Sequence, residues 1–287
     1  MKLLIVGREK PTNVILSFLQ ISKNYFRTVH YASLSNIDIN LEKEKISLFS
    51  KNKDLLNFDV LFAIPRKKTI DITMSLASIF QINKKYVCIP FNTISLCKDL
   101  FLLFFTLNAA KIPIIKTYYA TNPEILKRKL SQNQIKLPVI IRPKEEAEII
   151  LNNKESIKTV LDTLEKLEQP LIIQELKNDQ KINILSIGSS FFSQTNGKKY
   201  DLYIEQKNMI YRIKQILNTQ IIEIVAYING NSLIVHSISL TPKFNKFFTL
   251  YEKEKILSIL CSFIRNSADN FYEKNPIIKI INTIKKY

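Results

Sequence analysis

Residues 138–143 read PVIIRP and residues 172–176 read IIQEL, and these two stretches decide how the chain folds. Each is a run of branched apolar residues that ends in polar ones, as in a strand whose last residues reach a cleft. The polar ends supply Arg142, Gln174 and Glu175 as candidate site residues. The elements predicted around them are strands over 137–141, 149–151 and 171–174 and a helix over 156–167.

Toward the N-terminus, apolar runs alternate with helical patterns. Residues 3–6 form a continuous apolar run closed by Gly7, which is typical of a buried parallel strand that opens a βα unit. This alternation predicts an open α/β sheet in residues 1–92. The other predicted elements there are strands over 27–31, 58–64 and 86–89 and helices over 14–19 and 70–80.

The rest of the chain predicts a mixed α+β region. An apolar helix is predicted over 95–110, with Phe101 and Phe105 in the core. The Asn229-Gly230 pair is a strong hairpin signal between two apolar strands. The remaining predicted elements are strands over 117–120, 182–187, 221–228 and 232–239 and helices over 121–130 and 252–265.

Composition restricts the classes of site. Only 4 glycines occur in 287 residues, which leaves little material for a glycine-rich phosphate loop. Three separated cysteines without a CxxC motif, and only two histidines, argue against a disulfide framework or a zinc site. The apolar start lacks a signal-peptide cleavage site, and the apolar stretch 100–115 is too short to span a membrane, so a cytoplasmic protein without membrane contact is expected.

The net charge of +17 and a pI near 9.6 would attract anions such as nucleotides or nucleic acid. However, the Lys and Arg residues are scattered, and no long block of like charges stands out. A composition rich in Lys, Ile and Asn is also what an AT-rich genome encodes. Nucleic acid is therefore a partner that the charge allows but that no motif supports.

Four segments together resemble the RimK-type amino-acid ligases of the ATP-grasp superfamily. Residues 58–66 are similar to the strand end FDxxxPR, and residues 99–117 to a segment that begins with Asp-Lys and ends in a proline turn. PVIIRP and IIQEL resemble the two strands of the ATP clamp, and residues 222–242 resemble the closing metal-binding hairpin. Together the segments cover nearly the whole chain.

The resemblance implies an ATP-grasp fold with an N-terminal α/β pre-ATP-grasp domain. The implied parts are that domain in residues 1–92, a central subdomain with a linking helix in 93–176, and a C-terminal subdomain in 177–287. ATP would lie between the last two. The implied reaction phosphorylates a carboxylate with Mg-ATP, and an amine then displaces the phosphate.

Several positions depart from the family pattern. Leu100 replaces the lysine of the Asp-Lys pair, and Lys98 is the nearest other candidate for the nucleotide pocket. Arg142 replaces the lysine of the strand. It keeps the positive charge, but its guanidinium is planar with several fixed donors, whereas the ammonium of a lysine is a compact point charge. Residues 144–148 replace the glycine loop with KEEAE, whose three acids would repel a triphosphate.

The metal positions of the family fall at Val225, Ser237 and Ser239, none of which carries a carboxylate. Glu223 is the best substitute. With Asn229-Gly230 as a two-residue turn, Glu223 would lie opposite His236, on the face that Ser237 and Ser239 do not share. A shift of the register by one would be needed to bring them together. No metal ligand set is therefore expected.

Each remaining candidate has a structural alternative. Gln174, Glu175 and Leu176 would hold adenine and ribose, or Glu175 would be a solvated strand end. Arg142 would bind an anion, or would pair at the surface with Glu145 or Glu175. Arg66, at the end of a predicted parallel strand, would contact substrate or would only pack. His236 on its strand is expected to be structural.

Three functions follow from these observations. The first is an ATP-grasp protein that has lost Mg-ATP catalysis, uses no cofactor, and binds a ligand, itself or an active relative as a scaffold or regulator. The second is an active carboxylate–amine ligase that uses ATP and magnesium to add glutamate or a similar amino acid. The third is a basic nucleic-acid-associated protein.

Overall fold

The computed structural model describes residues 1–43, 45–143, 148–165 and 171–274. Its strands, in chain order, are β1 (Lys2–Gly7), β2 (Thr28–Ser33), β3 (Ile37–Glu42), β4 (Lys45–Ser50), β5 (Lys53–Asp54), β6 (Val60–Ala63), β7 (Tyr86–Val87), β8 (Thr117–Ala120), β9 (Val139–Pro143), β10 (Ile149–Leu151), β11 (Leu171–Glu175), β12 (Lys181–Ile187), β13 (Ser190–Thr195), β14 (Lys198–Lys199), β15 (Ile221–Asn229) and β16 (Ser232–Ser239). Its helices are α1 (Asn13–Ser22), α2 (Ile70–Ile82), α3 (Phe91–Lys98), α4 (Leu100–Ala109), α5 (Pro123–Ser131), α6 (Lys154–Glu165), α7 (Ile204–Ile216), α8 (Asn245–Phe248) and α9 (Lys253–Glu273). Within the described residues, no helix has both the length and the apolar character needed to cross a membrane.

The N-terminal part is a parallel sheet with the order β2-β1-β6-β7, which confirms the predicted open α/β sheet. Strand β1 lies inside it, and residues 3–6 are fully buried. Burial of consecutive residues means that both faces of β1 are covered, which is why this strand is a continuous apolar run. Helix α1 follows β1 and α2 follows β6, as the alternation predicted.

A small antiparallel sheet of β3, β4 and β5 lies between β2 and β6 in the chain, where we predicted no element. On β3, Ile37 and Ile39 are half-buried, whereas Asp38 and Asn40 are exposed. This alternation is the strand period, but it covers few residues and is interrupted by charges. The signal was therefore too short to recognise.

The predicted helix over 95–110 is wrong as one element, because it is interrupted at Asp99. The Asp99 carboxylate accepts a hydrogen bond from the Leu102 amide at 2.9 Å and caps a new helix, α4. The prediction that Phe101 and Phe105 are core residues is also wrong, since they are 40% and 59% exposed. The buried face of α4 consists of Leu103, Phe104 and Leu107.

The central sheet is antiparallel, with the order β10-β9-β11-β8. Helices α5 and α6 cover one face, and Leu126, Leu161 and Ile173 belong to the hydrophobic cluster between them. The opposite face carries Arg142 and Gln174, because side chains alternate along a strand. That face meets the C-terminal sheet, and we call the region between the two sheets the cleft.

The C-terminal sheet is antiparallel, with the order β14-β13-β12-β15-β16. Helix α7 contacts β16, and we did not predict this helix, although Met209, Ile210 and Ile213 follow the helical period on its buried face. Helix α9 is longer than the predicted 252–265. It continues to Glu273 because buried residues recur to its last turn.

One large hydrophobic cluster joins the N-terminal and C-terminal sheets, while the central sheet and its two helices form a separate cluster. Helix α1 packs on α9, where the Ser22 hydroxyl lies 3.3 Å from the Cys261 sulfur. The first and last parts of the chain therefore share a core. The predicted division at residues 92 and 176 stays a prediction.

Candidate functional site

A buried polar network surrounds Arg142 in the cleft. Strands β9 and β11 are neighbours, so Arg142 and Gln174 project from the same face, and the Arg142 Nε donates to the Gln174 Oε1 at 2.8 Å. The Arg142 Nη1 donates to Glu148, and its Nη2 lies 3.3 Å from the His236 Nε2. The Gln174 amide donates to the Thr117 hydroxyl at 3.1 Å.

Arg142 is only 7% exposed, so the alternative of a surface ion pair is wrong. Its ionic partner is Glu148, whereas Glu145 lies outside the described residues together with the rest of the 144–147 segment. The guanidinium is thus held by a carboxylate, an amide and an imidazole. A phosphate entering the cleft would have to compete with the Glu148 carboxylate for it.

Glu175 is not a solvated strand end, because it is 9% exposed and its carboxylate is surrounded by donors. Its Oε1 accepts from the Tyr118 hydroxyl at 2.7 Å and the Lys136 amide at 3.0 Å, and lies 3.1 Å from the Lys116 Nζ. Burial raises the pKa of this carboxyl, but these donors outweigh burial and hold the pKa below its usual value.

Leu176 directly follows Glu175, and its amide donates to the Pro138 carbonyl at 2.8 Å. The Gln174 side chain is fully buried and bonded at both ends. All three residues predicted to hold adenine and ribose therefore lie together at the end of β11. The groups described, the Gln174 side chain, the Glu175 carboxylate and the Leu176 amide, are already hydrogen-bonded within the protein.

His236 is 4% exposed, and its ring meets the Tyr227 ring edge-on with centroids 5.7 Å apart. Burial, and then the charges of Arg142 and Lys181, lower the pKa of His236 to about 3. The ring is therefore neutral at physiological pH, and its Nε2 can accept the hydrogen bond from Arg142. Its Nδ1 is buried and has no hydrogen-bond partner among the described residues.

The predicted register of the β15–β16 hairpin is wrong. Asn229 pairs with Ser232, so the turn lies one residue later than predicted. A bulge between Val225 and Ala226 leaves His236 as an extra residue on β16 and shifts the register once more. As a result Glu223 lies opposite Ser239 and not opposite His236.

Glu223, Val225, Ser237 and Ser239 therefore share one face, because Val225 pairs with Ser237 and alternate residues project to the same side. The structure brings together the three metal positions of the resemblance and the substitute carboxylate. The Ser239 hydroxyl donates to the Thr241 carbonyl at 3.1 Å and accepts from the Thr241 amide. The Ser239 hydroxyl thus makes the hydrogen bonds of the turn that follows β16.

A lysine that the sequence reasoning missed neutralises Glu223. The Lys246 Nζ lies 2.9 Å from the Glu223 Oε1 and 3.2 Å from the Asn183 Oδ1. The Lys243 amide donates to the other oxygen of Glu223 at 2.6 Å. Glu223 is 3% exposed, so this ammonium is the main counter-charge of a buried carboxylate.

Mg²⁺ does not fit these residues. It prefers several oxygen ligands, with carboxylates among them, whereas here one carboxylate is bonded to an ammonium and the opposing positions carry Val225, Ser237 and Ser239. Within the described part of the chain, no group of three or more His, Cys, Asp and Glu side chains could hold a metal ion. We derive no catalytic step through magnesium.

Lys98 and Arg66, the two other candidates, have no described contact with the Arg142 network. The Lys98 Nζ donates to Asp71 of α2 at 2.6 Å and is not part of the Arg142 network. Arg66 follows β6, at the carboxyl end of the parallel sheet, and its Nε is buried without a hydrogen-bond partner among the described residues. The neighbouring Pro65 carbonyl accepts from the Thr241 hydroxyl, which places Arg66 near the end of β16.

Comparison with known proteins agrees with this architecture. No protein-family model matches the chain, and no curated protein matches its sequence. Solved structures do match. A RimK-domain ATP-grasp protein from Sphaerobacter thermophilus is 12% identical, with a TM-score of 0.72, over 92% of this chain and 99% of that one.

Several of the matching structures were solved with peptides, among them the following two. The macrocyclase MdnC from Microcystis aeruginosa, bound with its precursor peptide MdnA, is 10% identical with a TM-score of 0.73, over 92% of this chain and 99% of that chain. A further match is a RiPP-associated ATP-grasp ligase from Chryseobacterium gregarium in complex with ADP and a leader and core peptide. It is 13% identical with a TM-score of 0.68, over 93% of this chain and 97% of that chain. At such low identity the likeness concerns the fold, and the chain has the ATP-grasp fold.

Proposed function

We propose that this chain is a partner-binding protein built on the ATP-grasp fold, without Mg-ATP-dependent ligase activity. The observation that carries the proposal is the position of Lys246, whose ammonium is bonded to Glu223 and Asn183 on the cleft side of the hairpin. This internal cation supports the proposal because it occupies Glu223, the best substitute for the missing metal-binding carboxylates.

Charge arithmetic supports this proposal. A divalent cation beside Glu223 would be repelled by the positive charge of Lys246. Arg142 and Lys181 add positive charge to the same region, as their lowering of the pKa of the nearby His236 indicates. The hydroxyls of Ser237 and Ser239 are neutral, so they do not offset this positive charge. Binding Mg²⁺ would therefore require the displacement of an ammonium that already neutralises the buried carboxylate.

The closed state of the cleft is a second line of support. Arg142, Gln174 and Glu175 are each less than a tenth exposed, and each is hydrogen-bonded within the protein. Opening these contacts for a nucleotide would leave buried polar groups unpaired, at about 1–3 kcal/mol for each. Of the hydrogen bonds of these three residues, the one between Arg142 and His236 joins the central sheet to the C-terminal sheet.

The partner-binding part of the proposal draws on two observations. Proteins with this fold were solved with peptides bound, so the scaffold is compatible with peptide recognition. In addition, the net charge of +17 favours partners that carry acidic residues. Nucleic acid would satisfy the same charge, but no motif supports it.

Calorimetric titration of the purified chain with ATP, with and without Mg²⁺, tests the nucleotide part. We expect no magnesium-dependent heat at nucleotide concentrations up to the millimolar range. A coupled assay for ADP with glutamate, other amino acids and peptides as acceptors should give the same rate as buffer. Magnesium-dependent binding at micromolar ATP, or ADP release that needs an acceptor amine, would establish the active-ligase alternative instead.

A further inference from the structure

Helix α4 exposes an apolar face on a strongly charged protein. Its sequence, LFLLFFTLNA, contains no charged residue. Phe101, Leu102 and Phe105 are 40%, 45% and 59% exposed, and they share one side of the helix because they are spaced by three and four residues.

Tyr119 of β8 extends this face onto the central sheet. It is 42% exposed, and its ring stacks on the Phe101 ring with centroids 4.3 Å apart. Phe105 lies next to Phe101, with centroids 6.2 Å apart. We call Phe101, Leu102, Phe105 and Tyr119 the α4–β8 patch. It exposes on the order of 300 Å² of apolar surface, a size that often marks a binding site.

The backbone of β8 adds a second feature. In the strand order β10-β9-β11-β8, this strand lies at the edge of the sheet. The Glu175 amide donates to the Lys116 carbonyl, so by the alternation of an antiparallel ladder Thr117 and Tyr119 direct their backbone groups away from β11. Such an edge can accept an added strand from another chain.

Positive charge borders the strand. Lys116 and Lys129 lie over the ring of Tyr118, with Nζ atoms 5.1 and 5.9 Å from its centroid, and Lys111 follows α4 at an exposed position. Glu175 neutralises only Lys116 in this group by a direct ion pair. The border is therefore basic, and a second copy of this basic chain would be repelled, whereas an acidic segment would be attracted.

We propose that the α4–β8 patch binds an extended acidic peptide segment of a partner protein. The segment adds a strand to β8, directs alternate apolar side chains onto Phe101 and Phe105, and places acidic side chains near the bordering lysines. This inference rests on the partner-binding part of the proposed function and is independent of the nucleotide part. Magnesium-dependent ATP binding would overturn the earlier proposal and leave this one standing.

Fluorescence anisotropy with a labelled synthetic decapeptide that alternates Glu with Phe and Val tests the proposal. We expect binding that weakens at least tenfold for Phe105→Ser, and that weakens with rising salt. A peptide of the same composition with its apolar residues in one block, and one N-methylated at alternate residues, should bind at least tenfold more weakly. Leu41→Ser removes an apolar side chain that is 75% exposed on β3 and should leave the affinity unchanged.

Several results would overturn the proposal. If the alternating and the blocked peptide bind with equal affinity, the peptide does not bind as an added strand. If wild type and a folded Phe105→Ser variant bind the peptide equally, the α4–β8 patch is not the binding site. Thermal unfolding of the variants establishes that they are folded, and Phe101→Ser provides a second variant if Phe105→Ser is not. Sedimentation that shows a wild-type dimer and a monomeric Phe105→Ser variant would assign the patch to a second copy of the chain.

Discussion

Replacing Lys246 by Met removes the ammonium that neutralises Glu223 and keeps most of the side-chain volume. Removing one partner of a fully buried ion pair costs about 3–5 kcal/mol. The Lys246 side chain is 36% exposed and that of Glu223 only 4%, so water screens part of this loss and we take about 2 kcal/mol. The lost hydrogen bond to Asn183 adds about 1 kcal/mol. We expect Lys246→Met to lower the free energy of unfolding by about 3 kcal/mol.

Urea unfolding of four proteins measures this effect: wild type, Lys246→Met, Glu223→Gln and the double variant. The ion pair predicts that Glu223→Gln costs less in the Lys246→Met background than in wild type, with a coupling energy above about 1 kcal/mol. Lys243→Met is the matched control, because it removes the same charge from an exposed side chain while its backbone amide still binds Glu223. Lys243→Met should lower the free energy of unfolding by less than about 0.5 kcal/mol.

A loss below about 1 kcal/mol for Lys246→Met, or a coupling energy near zero, would refute the role of Lys246 as an internal cation. The same variant tests the metal argument. With the ammonium removed, Glu223 and Asn183 offer oxygen atoms to a cation, so Mn²⁺ should raise the unfolding temperature of Lys246→Met and not that of wild type. Equal stabilisation of both by Mn²⁺ would show that the ammonium does not block the position.

Two further predictions concern pH and the backbone. In the folded state the pKa of His236 is lowered to about 3, so as the pH decreases the unfolded chain binds the proton first. The free energy of unfolding should therefore fall below about pH 6.5, by up to about 1.4 kcal/mol for each pH unit. His236→Gln should make this free energy depend less on pH between 6.5 and 5 than the control His30→Gln does, and an unchanged slope would contradict the buried neutral ring. Gly188 has φ +54 and a Cβ there would lie 2.7 Å from the Phe263 ring, whereas Gly197 has φ +73 and open space. Gly188→Ala should therefore cost about 1–2 kcal/mol more than Gly197→Ala in urea unfolding, and equal costs would show that the ring yields freely.

The existence of the strands could be predicted from the sequence, because buried apolar runs carry a strong signal. Residues 3–6 and the PVIIRP stretch formed strands as expected, and Arg142 and Gln174 lie side by side. The exposure of Phe101 could not be predicted, since an apolar helix has the same sequence pattern whether it faces a core or a partner. The structure shows that Asp99 caps a separate helix, α4, whose buried face consists of Leu103, Phe104 and Leu107.

The register of the closing hairpin and the role of Lys246 lay beyond sequence reasoning for a different reason. Moving the two-residue turn by one residue slides β16 by two residues along β15 and keeps its faces, whereas the bulge adds a single residue and moves the side chains beyond it to the other face. The Asn229-Gly230 signal located the hairpin but did not fix which two residues form its loop. Lys246 follows the hairpin and reaches Glu223 only because the chain folds back over the sheet, which no local pattern encodes.

The bulge at His236 links the two halves of the cleft. Without the extra residue, β16 would keep the register of its first residues, in which Glu223 would face Ile238, and Ser237 and Ser239 would turn to the other face. With it, His236 reaches Arg142 while both serines stand beside Glu223. The backbone thus presents four side-chain positions together on the cleft face, but only Glu223 carries a carboxylate there, and Val225, Ser237 and Ser239 do not. If the proposed function is correct, the side chains at these positions, and not the backbone of the hairpin, are what exclude a divalent cation from the place of the Lys246 ammonium.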